Sequence, residues 1–157
     1  GQGYMLDDQS VMESLLSWLK ETRLPLLVHT NEPVGHDYRG KGGTTPEVVY
    51  RLACSFPQVM LVCAHWGGGL PFYELMPEVR RTLANVYYDT AASLYLYDRA
   101  IFPLAEQLCR EKILFATDYP LIGQQRFLDH IRNSGLSSTA LEQILGGNAE
   151  RLLSIAQ

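Results

Sequence analysis

Residues 59–69 read VMLVCAHWGGG, and this stretch decides the fold. Its first six residues are all apolar and lack the alternation of a strand that has one face in water. A short continuous apolar run of this kind is typical of a parallel strand that is buried on both faces. A histidine and three glycines follow at once, so the strand is predicted to end in a polar side chain and a turn with wide backbone freedom.

Three further runs have the same character, so four strands are predicted. In chain order the runs are Pro25–His29, Val59–Ala64, Asn85–Asp89 and Lys112–Thr117. Helical periodicity or capping residues mark the segments between and after them. The predicted helices are Asp7–Thr22, a helix that begins at Thr45-Pro46, Tyr73–Leu83 with a break at Pro77, Asp98–Arg110, Gln124–Asn133, Ser137–Leu145 and Ala149–Ile155 with Asn148 as N-cap. Alternating strands and helices predict an α/β fold with a parallel sheet and right-handed crossovers, in a single domain over residues 1–157.

The first helix shows an apolar stripe that we expect to face the core. Val11, Leu15, Trp18 and Leu19 recur at helical spacing, and Asp7 or Asp8 is placed to cap the N-terminus.

Composition excludes several classes of function. The chain has 157 residues, 46% of them hydrophobic and 19% charged, which is the composition of a globular domain. The net charge is -4 and no segment carries a Lys/Arg cluster, so we expect no nucleic-acid partner. No apolar run approaches the ~20 residues that cross a bilayer. The three cysteines form no CxxC pair, which favours free thiols in a reducing cytoplasm.

Three polar side chains follow the predicted strands directly or end them. His29 ends the first strand, His65 follows the second and Asp118 follows the fourth. Because the carboxyl ends of parallel strands lie at the same edge of the sheet, we expect these three groups to meet there. This edge, with the side chains around it, is called the mouth. Imidazole and carboxylate are ligands of divalent ions such as Zn²⁺, which lower the pKa of bound water to about 7. The sequence therefore predicts a metal-dependent hydrolase.

Substrate contacts are predicted mainly in the loop that follows the first strand. This loop, residues 30–43 (TNEPVGHDYRGKGG), is rich in polar groups that can reach over the mouth and hold a substrate carboxylate. The predicted substrate-binding residues are Glu32, His36, Tyr38, Lys41 and Trp66. A solvated charged loop without contact to substrate is the alternative. His130, which lies in the middle of a predicted helix, is interpreted as structural or solvated.

Five stretches resemble a known family. They are LPLLVHTNE (24–32), VCAHWGGGLPFYE (62–74), NVYYDTAAS (85–93), ILFATDYPL (113–121) and ILGGNAERLL (144–153). Together they resemble the amidohydrolase superfamily, in the amidohydrolase-2 branch that includes aminocarboxymuconate-semialdehyde-decarboxylase-like enzymes. The resemblance implies a (β/α)₈ barrel of TIM type, in which this chain covers about four βα units, strands five to eight, plus C-terminal helices.

The resemblance also implies roles for the strand-end groups. His29 corresponds to a metal ligand, His65 to a residue that serves catalysis, and Asp118 to a group that binds metal and transfers protons. Members hydrolyse amide, ester or lactone bonds, and some decarboxylate aromatic or unsaturated acids.

One family feature is missing from the sequence. The His-x-His pair of strand one is absent, and a complete barrel needs about 250 residues. Two ligands are fewer than the three that a catalytic zinc usually takes from protein. The chain is therefore expected to be a C-terminal half that is inactive alone. It would be a fragment, one partner of a homodimer that closes a barrel, or the partner of a separate N-terminal half.

The main prediction is a hydrolase that acts on a small-molecule substrate through a metal-activated water. The nearest alternative is a decarboxylase of the same family that acts on an unsaturated or aromatic carboxylic acid. An alternative of another class is a non-catalytic α/β binding or assembly module.

Overall fold

A computed structural model describes residues 4–35 and 37–154 of the chain. Its sheet consists of β1 (Leu26–Val28), β2 (Leu61–Cys63), β3 (Val86–Asp89) and β4 (Ile113–Leu114). The strands are all parallel and lie in the order β1-β2-β3-β4. Each predicted run contains one of these strands, although the strands are shorter than the runs.

Helices connect and follow the strands. They are α1 (Gln9–Thr22), α2 (Pro46–Ser55), α3 (Pro77–Thr82), α4 (Ser93–Leu96), α5 (Ile101–Cys109), α6 (Gln124–Arg132), α7 (Ser138–Glu142) and α8 (Asn148–Ser154). A segment that spans His65–Leu75 begins with a left-handed turn at residues 65–69 and continues with 3₁₀ geometry. A 3₁₀ turn covers Arg110–Lys112, and a π-helical turn covers Gln143–Gly147. Among the described residues, no helix is both long and apolar enough to cross a membrane.

Local chemistry explains several helix starts. The Asp8 side chain accepts a hydrogen bond from the backbone N–H of Ser10 at α1, and Ser137 does the same for Ala140 at α7. Pro46 and Pro77 occupy the first positions of α2 and α3, where a missing N–H costs nothing. Pro77 thus divides the predicted helix Tyr73–Leu83, and only its second part is α-helical.

A large core covers one face of the sheet, and a smaller cluster covers part of the other face. Helices α1, α2, α3, α5 and α6 contribute to one large core with alternate strand residues such as Leu61, Cys63, Tyr88 and Ile113. The opposite face carries Val62 and Leu114, which pack with Leu152 of α8. The two-sided burial expected from continuous apolar runs is therefore present in the central strands.

The predicted buried face of α1 is wrong at three of its four positions. Leu19 is buried as predicted, but Val11, Leu15 and Trp18 are 50%, 40% and 51% exposed, and Met12 and Leu16 are buried instead. This helix carries apolar residues on two faces, so periodicity alone could not identify the face that meets the sheet.

The N-cap role predicted for Asn148 is also wrong. Its backbone is already helical, and α8 begins with this residue. The buried side-chain amide donates to the carbonyl oxygens of Arg110 (2.8 Å) and Ile113 (2.7 Å). Asn148 therefore ties the C-terminal helix to the start of β4.

Candidate active site

Two imidazole rings meet at the carboxyl ends of β1 and β2. His29 is the first residue after β1, and His65 is the second residue after β2. The ring centroids lie 4.9 Å apart with the planes at 75°. Nε2 of His65 lies 3.2 Å from Nδ1 of His29. The expected convergence of these two side chains is what the structure shows.

His65 is held firmly from its backbone and its ring. Its N–H donates to Oδ1 of Asp89 at 3.0 Å, and its Nδ1 lies 3.2 Å from the carbonyl oxygen of Ala91. The residue is buried, and its φ of 56° lies in the left-handed region, which is uncommon for a residue other than glycine.

Asp118 lies on the same mouth after β4. Its side chain is exposed, and its φ is 63°. The pKa of His29 is lowered from its usual value, first because burial disfavours the imidazolium and then because His65 lies beside it. The carboxylates of Asp118 and Glu32 act in the opposite direction on this pKa, which places both of them near His29.

Two tyrosines complete the polar cluster at this mouth. Burial raises the pKa of Tyr38, and the carboxylates of Glu32 and Asp118 raise it further. Burial also raises the pKa of Tyr97, with Glu32 as the second cause. Glu32 therefore lies near both tyrosines, and the substrate contacts predicted for Glu32 and Tyr38 stay predictions.

Sequence reasoning missed Tyr97. It lies at the C-cap of α4 in the run LYLYD, which carries no motif and does not follow a strand. Its hydroxyl oxygen and Oε1 of Glu32 are buried, and neither has a well-formed hydrogen bond among the described residues. The two groups are nevertheless close enough to interact electrostatically. Tyr97 thus places a phenol beside Glu32 at the candidate site.

Other predicted substrate contacts are not supported in the same way. Trp66 is completely buried, its Nε1 donates to Oγ of Ser93 at 2.7 Å, and its ring packs edge-on against Phe102. It is a core residue, and the substrate contact predicted for it does not fit this position. The reason is its left-handed φ of 58°, since the turn directs the residue after His65 away from the mouth.

The remaining predicted contacts lie in the loop after β1. Nζ of Lys41 donates to the carbonyl of Val34 at 3.3 Å and lies 3.6 Å from the Asp37 carboxylate, so it is engaged within its own loop. His36 lies outside the described residues.

A close backbone approach brings the two histidine-bearing loops together. Residues 65–69, named the HWGGG turn, run through five successive left-handed residues. A Cβ on Gly68 would lie 2.8 Å from the carbonyl carbon of Asn31, and closer still to its oxygen. Only glycine allows the HWGGG turn to approach the loop after β1 this closely.

The donor chemistry fits part of a divalent metal site. Imidazole and carboxylate groups from His29, His65 and Asp118 lie at one mouth. Within residues 4–35 and 37–154, however, no three or more His, Cys, Asp or Glu side chains are grouped so as to hold a metal ion. The described residues therefore supply only part of a ligand set.

Parallel strands that carry such groups at their carboxyl ends, with helices outside, define a partial TIM-type barrel. Residues 1–155 match the amidohydrolase family, and the chain belongs to this family. No curated protein matches the chain.

Solved structures share the fold. An uncharacterised TIM-barrel protein from Bordetella bronchiseptica is 24% identical with a TM-score of 0.74, over 98% of this chain and 53% of that one. A 5-carboxyvanillate decarboxylase from Sphingomonas paucimobilis is 17% identical with a TM-score of 0.76, over 98% and 56%. A dihydroxybenzoic acid decarboxylase from Polaromonas, with bound manganese and the inhibitor 2-nitroresorcinol, is 19% identical with a TM-score of 0.72, over 98% and 56%. The chain spans little more than half the length of these proteins.

Proposed function

We propose that this protein is a metal-dependent decarboxylase that acts on an aromatic or unsaturated carboxylic acid. The observation that carries the proposal is the meeting of His29 and His65 at one mouth, with the Asp118 carboxylate close enough to act on His29. The decarboxylases among the similar structures favour this reaction over the hydrolysis that the sequence predicted first. This reverses the order of the two predictions.

His29 and Asp118 are the residues proposed to hold the metal. A divalent ion at this place supplies a positive charge that binds the oxygen atoms of an acidic substrate. Zinc is proposed because it binds both imidazole nitrogen and carboxylate oxygen, whereas manganese prefers oxygen ligands. Burial lowers the pKa of His29 from its usual value, which favours the neutral ring, the form that binds metal.

The reaction requires a proton donor next to the scissile bond. The bond between the substrate carbon and its carboxylate carbon breaks, CO₂ leaves, and the electron pair stays on the substrate carbon. That carbon takes a proton from the protonated carboxyl of Asp118, or from Nε2 of His65 when both ring nitrogens of His65 carry a hydrogen, and the donor is then reprotonated from water. Glu32, Tyr38 and Tyr97 are proposed to orient the substrate, because they surround the same mouth.

A second candidate function is hydrolysis of amide, ester or lactone bonds. Its specific support is the match to the amidohydrolase family over nearly the whole chain. Both reactions use the same groups and differ in what the substrate offers. A non-catalytic module has less support, because it gives no reason for imidazoles and a carboxylate to meet at one mouth.

The missing ligands must come from additional strands. We propose that four further strands close the barrel, since the chain covers 53–56% of the three similar structures. A second polypeptide or a second copy of this chain would serve equally in this role. The three free cysteines support the cytoplasm as the proposed location.

The test is an assay of the full-length protein, loaded with Zn²⁺ or Mn²⁺, against hydroxybenzoic acids and against amides, esters and lactones. We expect CO₂ release from an aromatic acid and, in D₂O, one deuterium at the carbon that lost the carboxylate. Asp118→Asn is the test variant, because Asn tolerates the positive φ of this position and removes only the carboxylate. We expect it to slow turnover about 10²–10⁴-fold. Hydrolysis without CO₂ release would select the second candidate.

A further inference from the structure

We propose that Asp89 is a positioning residue for His65: its carboxylate, together with the carbonyl of Ala91, fixes the His65 ring so that Nε2 faces the mouth. The proposal rests on the proposed function only in placing His65 at the active site. Asp89 is the last residue of β3.

A single carboxylate oxygen joins the ends of two strands. Oδ1 of Asp89 accepts hydrogen bonds from the N–H of His65 at 3.0 Å and from the N–H of Ala91 at 2.9 Å. Asp89 is only 6% exposed, so water does not compete for this oxygen. The backbone of His65 is thereby held at its left-handed φ, and Ala91 is held in register beside it.

The carbonyl of Ala91 then selects the tautomer of the His65 ring. Nδ1 of His65 lies 3.2 Å from this oxygen, and a carbonyl can only accept a hydrogen bond. Nδ1 therefore carries the hydrogen. In the neutral ring the lone pair is left on Nε2, which lies 3.2 Å from Nδ1 of His29.

Three groups therefore act in sequence, and each one positions the next. Asp89 sets the position of Ala91 and of the His65 backbone, Ala91 orients the His65 ring, and that ring presents Nε2 to His29 and the mouth. A histidine without such a partner prefers the other tautomer in water, so the arrangement leaves a measurable signature. A partner that fixes the tautomer of a functional histidine is a recurring device in proteins.

The first test uses the unaltered full-length protein with metal removed by a chelator. Nitrogen NMR of the histidine rings distinguishes the two tautomers at each site. We expect His65 to carry its hydrogen on Nδ1. A His65 ring that carries it on Nε2 would overturn the proposal.

The second test compares two variants at position 89. Asp89→Asn keeps an oxygen for both N–H groups and removes the charge, so His65 should keep the Nδ1–H tautomer. Asp89→Leu has a similar size and no acceptor, so His65 should show the mixture of tautomers typical of a histidine in water. Asp98→Leu is the matched control, because Asp98 accepts the N–H of Ala100 through the same local bond in an exposed turn.

Each outcome either supports the proposal or overturns it. A wild-type His65 spectrum in Asp89→Leu would overturn it, and so would a changed tautomer in Asp89→Asn. If Asp89→Leu does not fold, the tautomers in the unaltered protein and in Asp89→Asn still test the proposal. The measurement needs no substrate, so failure of the decarboxylation assay would leave it unaffected.

Discussion

Individual side chains at the mouth differ in how firmly the protein holds them. His65 has partners at its N–H, Nδ1 and Nε2, whereas the hydroxyl of Tyr97 is buried and has no well-formed hydrogen bond among the described residues. A buried polar group without a partner costs free energy, and active sites are where such groups are retained. The raised pKa of Tyr97 keeps its phenol protonated, so it can donate a hydrogen bond to a substrate.

Replacing Tyr97 by Phe should therefore affect binding more than stability. We expect KM for the accepted acid to rise about 10-fold, the equivalent of one lost hydrogen bond. The free energy of unfolding should change by less than about 0.5 kcal/mol, because no well-formed bond within the described structure is lost. Steady-state kinetics and urea unfolding measure the two quantities. Tyr95→Phe, at an exposed position on α4, is the control, and equal KM values for both variants would count against the substrate contact.

The residues that sequence reasoning located are those whose position follows from a strand. His29, His65 and Asp118 each end or follow an apolar run, and the edge of a parallel sheet is predictable from such runs. Tyr97 follows no strand and carries no motif, so no local pattern marks it. Asp89 ends a predicted strand as His29 does, but its contact with His65 joins distant segments and is not visible in the sequence. Trp66 was misassigned because a left-handed turn, and not strand alternation, sets its direction.

Among the elements, the HWGGG turn matters most for the site. It reverses the chain after β2 and presses Gly68 against the Asn31 backbone, which brings the His65 loop to the His29 loop. This contact is a property of two elements together.

Gly68→Ala should consequently destabilise the fold more than Gly69→Ala. Both substitutions place a Cβ at positive φ, which costs about 1–2 kcal/mol. At Gly69 the nearest atom in the way is the Tyr97 hydroxyl at 3.8 Å, whereas at Gly68 the Cβ collides with backbone. We expect a further loss of about 1–3 kcal/mol for Gly68→Ala in denaturant unfolding. Equal losses would show that the close approach is unimportant.

A buried ion pair anchors the other end of the same segment. Nζ of Lys112 bonds both carboxylate oxygens of Glu74, at 3.0 and 2.9 Å, and the Tyr88 hydroxyl donates to the same carboxylate at 2.6 Å. Glu74 is 1% exposed. The pair links the His65–Leu75 segment to β3 and to the start of β4.

Lys112→Met should cost about 3–5 kcal/mol of unfolding free energy, because it leaves the Glu74 carboxylate buried without a cation. Arg51→Met removes an exposed partner of Asp7 and Glu47 and should cost at most about 1 kcal/mol. Similar losses in the two variants, measured by urea unfolding, would contradict the anchoring role.

For helix α1, the sequence predicted the helix and its ends but not the face that packs on the sheet. Its existence, its cap at Asp8 and its end at Thr22 follow from local sequence. Its orientation depends on which of two apolar faces meets the sheet, and that depends on partners far along the chain. The exposed face then remains as an apolar surface on the outside of the described structure.

At the scale of the whole molecule, the sheet is open at both edges. In the part of the chain that the structure describes, β1 and β4 each pair on one side only, and Leu27 of β1 is 65% exposed. Closure of the barrel by further strands would cover these edges and complete the ligand set. The α/β class was predictable because strand–helix alternation admits few topologies, whereas the TIM-type barrel was implied by the family resemblance. The choice between hydrolysis and decarboxylation was not predictable, because both reactions use the same side chains and differ in the bond that the substrate offers.

The proposed function depends most on His29 holding a metal at the mouth shared with His65 and Asp118. Elemental analysis of the purified full-length protein tests this directly, with His29→Gln compared against His130→Gln, a histidine on α6 that packs on Phe127. We predict about one divalent ion per chain in the unaltered protein and in His130→Gln, and well under half that in His29→Gln. An active protein without metal, or equal metal in both variants, would contradict the role of His29.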